Sequence, residues 1–232
     1  MNQYTLLPYS QRSEGEFGGN GMISERTIGR ISLYRRMLVD LEEQGVQQVF
    51  SHELAAKAWV TASQARRDIR SLGCSGSPVH GYGVKELIGS ISAFLDAPKP
   101  EAVVLVGVGN LGRAILSYFS GRRPNLMIVA AFDSDPQKVN RTISGCPCYG
   151  TDELPRFAAQ HGIRMGIVTV PASAAQAMAD LLVRSGIRGI LNFAPAMLRA
   201  PANVYIENVD MTMSLEKVAY FAREASQREA LR

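Results

Sequence analysis

Val103-Val104-Leu105-Val106-Gly107-Val108-Gly109-Asn110-Leu111-Gly112 decides how this chain folds. Four consecutive apolar residues read as a strand buried on both faces. The G-x-G-x-x-G that follows reads as the turn from that strand into a helix. Gly107 permits the tight turn, Gly109 lets the backbone approach a pyrophosphate, and Gly112 lets the helix pack close to the strand. The helix N-terminus offers free N–H groups and partial positive charge to phosphate. The run Gly107, Val108, Gly109, Asn110, Leu111 and Gly112 is therefore the candidate dinucleotide site.

Alone, such a motif is weak, and a glycine turn serving packing only is its alternative. Here a second apolar strand over 127–132 ends at Asp133. An acidic residue about 20 positions past the turn is the expected partner of ribose hydroxyls, and favours NAD over its 2′-phosphorylated form. Further strands are expected at 166–170 and 189–193, alternating with helices at 111–119, 152–160 and 172–184. That alternation predicts a parallel sheet with helices on both faces. Two loops at strand ends, Thr169-Val170-Pro171 and Asn192-Phe193-Ala194-Pro195, join the candidate site, because open α/β sheets bind ligands there. Either loop also reads as ordinary strand-to-helix punctuation.

Upstream of Ala97-Pro98-Lys99-Pro100 the pattern is helical. Residues 1–22 are polar and glycine-rich and are expected to be disordered. A first helix, 25–44, carries Ile28, Ile31, Tyr34, Leu38 and Leu41 at helical spacing and stops at Gly45. A second opens with Ser51 as its N-cap and ends at Trp59. A third opens at Thr61, with Gln64 completing a capping box. Two short helices joined by a tight turn make a helix-turn-helix. The Gly/Ser-rich stretch 73–84 stands where a winged helix carries its wing. The third helix turns Ala62, Ala65, Ile69 and Leu72 inward, and Ser63, Gln64, Arg66, Arg67 and Arg70 outward. With Thr61 these are the candidate DNA-binding residues, arginine for phosphates or guanine edges and Gln64 for adenine. A solvated charged face is the alternative. Asp68 interrupts the basic run and is expected to orient a neighbouring arginine. A helix over 85–95 leads to the proline-rich linker, and a final helix, 211–230, carries Leu215, Val218, Ala219, Ala222 and Ala225 on one face. The expected domains are thus a winged-helix unit at 23–97, a Rossmann unit at 98–209 and a C-terminal helix at 210–232.

A formal charge of +4 is compatible with nucleic acid without requiring it. No apolar run is long enough to span a bilayer, and the N-terminus lacks a signal-peptide pattern, so no membrane association and a cytoplasmic location are expected. Three cysteines, Cys74, Cys146 and Cys148, argue against a disulfide framework or zinc site. Cys146 and Cys148 read as small residues at a strand edge. No metal ligands and no catalytic residues are expected.

Together the halves make the chain resemble the redox-sensing transcriptional repressor Rex family over nearly its whole length after the tail. The matching stretches include Tyr34-Arg35-Arg36, Thr61-Ala62-Ser63-Gln64-Ala65-Arg66-Arg67-Asp68, Gly81-Tyr82-Gly83-Val84, the glycine loop, Phe132-Asp133-Ser134-Asp135-Pro136, Asn192-Phe193-Ala194-Pro195 and Glu207-Asn208-Val209-Asp210. The resemblance implies a homodimer with a domain-swapped C-terminal helix. It implies palindromic operator DNA bound with NAD+ and released by NADH. It also implies that Arg36, Tyr118 and Asp210 couple the two sites. The sequence departs from the family at Ser71-Leu72-Gly73 and at Pro78-Val79, where the family wing is basic; a wing without that residue grips the minor groove less well. The rival readings are a small NAD-dependent oxidoreductase and an NAD(H)-binding scaffold without DNA binding. Against the first, no tyrosine is followed four residues later by lysine, and His52, His80 and His161 lie outside the expected site.

Overall fold

The computed structural model describes residues 23–230 apart from 78, 123 and 124. The tail expected to be disordered, residues 1–22, and Pro78 of the wing lie outside the described residues. The chain divides into two compact units between Lys99 and Pro100.

The first unit contains α1 (Glu25–Glu43), β1 (Gln48–Val49), α2 (Ser51–Lys57), α3 (Ala62–Ser71), β2 (Tyr82–Gly83) and α4 (Val84–Leu95). Its core joins Ile31, Tyr34, Leu38 and Leu41 of α1 to Leu54, Ala65, Ile69, Leu87 and Ile91. Ile28, expected on that face, is exposed in the first turn. β1 and β2 pair antiparallel, and Ser77 and Gly81 bridge the wing turn.

Two expected boundaries shift. The N-cap of α2 is Phe50, not Ser51, because the Glu53 carboxylate reaches back to accept from the Phe50 N–H at 2.6 Å. α2 also ends at Lys57, leaving Trp59 in the turn with a left-handed φ of 55° and 93% exposed. The α3 cap forms by half: Thr61 Oγ1 accepts from the Gln64 N–H, while the Gln64 side chain turns elsewhere.

The second unit is a seven-stranded sheet ordered β5-β6-β4-β3-β7-β8-β9. Its strands are β3 (Glu101–Val106), β4 (Leu126–Asp133), β5 (Arg141–Ile143), β6 (Cys146–Gly150), β7 (Met165–Val168), β8 (Gly189–Asn192) and β9 (Tyr205–Asn208). All pairs are parallel except β5–β6. The helices are α5 (Asn110–Phe119), α6 (Leu154–His161), α7 (Ala172–Arg184) and α8 (Met211–Ala230).

Strand alternation sorts the core into two layers. Val104, Val106, Phe132 and Val168 pack with Leu154 and Ala158 of α6 and Ala175, Ala179 and Leu182 of α7. Val103, Leu105, Ala131 and Ile167 pack with Ile115 and Leu116 of α5. The six parallel strands run 3-2-1-4-5-6 in order of appearance, the Rossmann arrangement. The order reverses between β3 and β7, the point at which open α/β sheets generally bind ligands.

Cys146 and Cys148 lie on β6, one strand inside the edge, and both are buried. Burial pushes the Cys146 thiol up to about 11, with Cys148 adding to the shift. These thiols are core residues of low reactivity.

Candidate functional site

The glycine loop leaves β3 at the switch point. Gly107 has φ 98°, a conformation that side chains avoid, and an added Cβ would lie 2.7 Å from Val170 Cγ1 and 2.8 Å from the Thr169 carbonyl oxygen. A Cβ on Gly112 would collide with the Gly107 carbonyl oxygen. Gly109 differs: nothing lies within 4 Å of the position a Cβ would take. Two glycines thus close the loop against its neighbours, and the third leaves open space at the N-cap of α5.

Three groups hold the loop. Thr169 Oγ1 donates to the Gly107 carbonyl at 2.6 Å, tying the end of β7 to the turn. The Gly107 N–H donates to the Phe132 carbonyl at 2.8 Å. Asp133 Oδ2 accepts from the Val108 N–H at 2.7 Å and from Lys138 Nζ at 3.1 Å, and Oδ1 accepts from the Asp135 N–H at 2.9 Å. Burial raises the Asp133 pKa, but the amides of Asp135 and Val108 and the Lys138 ammonium outweigh it and hold the carboxyl below its ordinary value. Asp133 is therefore ionised and shapes the loop. Its clasp on Val108 and the clamp from Lys138 were not read from the sequence; Lys138 five residues on was the available signal.

The other strand ends assemble beside it. Asn192 is buried: its Nδ2 donates to Ala196 O and Asn208 Oδ1, each at 2.8 Å, and its Oδ1 accepts from the Ala194 N–H at 3.0 Å. It fixes the path of Phe193-Ala194-Pro195, with the Phe193 N–H extending the ladder to Val168 O at 2.9 Å. Thr169-Val170-Pro171 packs against Gly107 and then opens α7.

In the first unit, Thr61, Ser63, Arg66, Arg67 and Arg70 are exposed along α3. Arg66 Nη1 donates to Ser51 Oγ of α2 at 3.2 Å, and Arg67 Nη2 to Gln64 Oε1 at 2.7 Å. Asp68 is buried, and the arginine it binds directly is Arg30 of α1 rather than a neighbour on α3; within its own helix it accepts from Gln64 Nε2 at 2.8 Å. The fork of Arg30 reaches both its oxygens, at 2.7 and 2.9 Å, and Tyr34 O–H adds a bond at 3.0 Å. Packing turns Asp68 inward because it shares the face of Ala65 and Ile69.

Of the expected coupling residues, Arg36 is exposed, and Tyr118 is 56% exposed under the Arg122 guanidinium, 4.4 Å from its ring centre. Asp210 Oδ1 accepts from the Met213 N–H at 2.8 Å and so caps α8. α8 leaves Leu215, Val218 and Phe221 exposed. Among the described residues no helix is long and apolar enough to cross a membrane, and no group of side chains is arranged to hold a metal ion.

Comparison with known proteins matches residues 98–196 to the CoA binding domain family and residues 22–69 to the family described as "Putative DNA-binding protein N-terminus". The chain is 40% identical over 201 residues to the redox-sensing transcriptional repressor Rex of Anoxybacillus flavithermus, covering 87% of this chain and 94% of that one. Two crystal structures of RSP, a protein described as a Rex-family repressor, are 34% identical. The complex with NAD+ and operator DNA has a TM-score of 0.82, covering 90% of this chain and 97% of that one. The complex with NADH has a TM-score of 0.81, covering 91% and 99%.

Proposed function

The chain belongs to the Rex family of redox-sensing transcriptional repressors, and on that premise we propose that it holds NAD+ or NADH over the glycine loop, grips operator DNA through α3, and releases the DNA as NADH accumulates. The observation that carries the reading is the open space over Gly109, at the switch point of a Rossmann sheet, in a chain that also presents three exposed arginines on a capped helix.

Pyrophosphate takes the amides at the start of α5, and Asp133 receives the ribose. Phe193 and Pro195 would flank the nicotinamide. A charged ring placed on apolar groups is disfavoured, so NADH binds more tightly than NAD+. Thr61, Ser63, Gln64, Arg66, Arg67 and Arg70 face a palindromic site. The exposed apolar residues of α8 support a homodimer in which this helix swaps onto a second copy. Residues 23–97 serve DNA, 98–209 the dinucleotide and 210–232 dimerisation, in the cytoplasm. Arg36, Tyr118 and Asp210 couple the two binding events.

Calorimetric titration of wild type and Gly109→Val with each dinucleotide tests the site. The variant's new side chain enters empty space, so its melting temperature should hold while both affinities fall at least tenfold. Undiminished affinity would remove the glycine loop from the site, and equal wild-type affinities for the two forms would remove the basis for ratio sensing.

A further inference from the structure

A line of hydrogen bonds runs from the core of the first unit to its surface along one helix. It begins at Asp68, buried at 3% exposure, whose Oδ2 takes Arg30 Nε and Tyr34 O–H. Oδ1 takes Arg30 Nη2 and Gln64 Nε2, the latter at 2.8 Å. Gln64 Oε1 then accepts from Arg67 Nη2 at 2.7 Å. Arg67 is exposed, and Gln64 is half-buried between the two.

The direction of this line is chemically forced. An ionised carboxylate only accepts, so the amide must turn its NH2 inward to Asp68. Its carbonyl must then point outward, where it accepts from a guanidinium. Flipping the amide would set oxygen against carboxylate and NH2 against guanidinium. Burial works against ionisation of Asp68, but the bonds from Arg30, Gln64 and Tyr34 prevail and keep its pKa below the ordinary value.

We propose that Asp68 and Gln64 are positioning residues that hold the Arg67 guanidinium for base recognition, so that Gln64 acts through Arg67 and reads no base itself. One N–H and one lone pair of the Gln64 amide are engaged within the chain, so its plane is fixed by Asp68 and Arg67, and turning it to pair with adenine would cost both bonds. Arg67 spends one Nη2–H on the clamp and keeps its other donors for the groove. An arginine already ordered loses less rotamer freedom on binding. The inference rests on the reading that α3 enters the major groove.

The test is a double-mutant cycle on operator affinity with Gln64→Leu and Arg67→Ala, repeated on an operator altered at single base pairs. Gln64→Leu keeps the Asp68–Arg30–Tyr34 cluster and the bulk of the side chain, so the melting temperature should change little. In wild type it should weaken operator binding about tenfold, an amount set by re-ordering one long side chain, and flatten the preference at one base pair. In the Arg67→Ala background it should have no further effect. Full additivity in a folded double variant would overturn the proposal and return Gln64 to direct contact. An Arg67→Ala variant that binds operator as wild type does would instead overturn the reading of α3. Asp68→Asn, which keeps size but confuses the amide's orientation, should lose the same base preference as Gln64→Leu. Retention of that preference at an unchanged melting temperature would remove Asp68 from the line.

Discussion

Among the described residues each unit buries one aspartate, and the two are satisfied by opposite means. Asp68 is held by side chains: Arg30, Tyr34 and Gln64. Asp133 is held mainly by backbone, the N–H groups of Val108 and Asp135, with Lys138 added. A carboxylate bound by side chains fastens one helix to another. One bound by backbone amides gives a loop its shape. Asp68 is thus a matter of stability and aim for α3, and Asp133 a matter of the form of the dinucleotide loop.

That contrast breaks first at Asp68. Asp68→Ala takes from Arg30 and Tyr34 the acceptor they share; losing one partner of a fully buried pair costs about 3–5 kcal/mol, and the loss here should fall at or below the low end because Arg30 is 22% exposed and keeps Thr27 Oγ1. Denaturant titration should show the helical unit unfolding early while the sheet unit keeps its midpoint. An unchanged first transition would mean that the cluster carries no stability.

At Asp133 the effect should fall on binding. Asp133→Ala removes a charge-assisted acceptor, worth about 1.5–3 kcal/mol, and should weaken NAD+ and NADH alike. The variant should still bind operator but ignore NADH. Undisturbed release by NADH would show that the carboxylate has no part in ligand binding.

These two residues also mark what the sequence discloses. The glycine loop and Asp133 are legible because their partners are backbone groups, present whatever the side chains, and because strand, turn and helix follow within a few residues. Asp68 is only partly legible: Gln64, four residues before it, is a local partner, but Arg30 and Tyr34 lie 38 and 34 residues away on α1, and only packing selects them. The hairpin β5–β6 was missed for a local reason: it has three residues in one strand and a proline in the other. Its turn was signalled by Ser144-Gly145, both with positive φ. The second helix is expected to reach Trp59, but the chain must reverse there to start α3, and the backbone goes left-handed instead.

The remaining tests sharpen the contrast by smaller amounts. Asp210 caps α8, and such a cap is worth about 1 kcal/mol; a coupling residue adds an energy of about 1–3 kcal/mol shared with its partner. Asp210→Ala and Arg36→Ala, scored by operator affinity in NAD+, should be strongly non-additive. Additive losses would leave Asp210 as a cap alone. Trp59→Gly should relieve the left-handed turn and raise stability by about 1 kcal/mol, since its exposed ring packs on little. A fall in melting temperature would show that the ring is held by contacts.

The central claim is that occupancy of the glycine-loop crevice governs the grip of α3 on DNA. Its most direct test is operator affinity measured at constant total dinucleotide while the NADH fraction is raised, on wild type and on Gly109→Val. Wild type should bind in NAD+ and release steadily as NADH replaces it, whereas the variant's affinity should stay flat across the titration. An identical response from the two proteins, or a wild type indifferent to the ratio, would contradict the account.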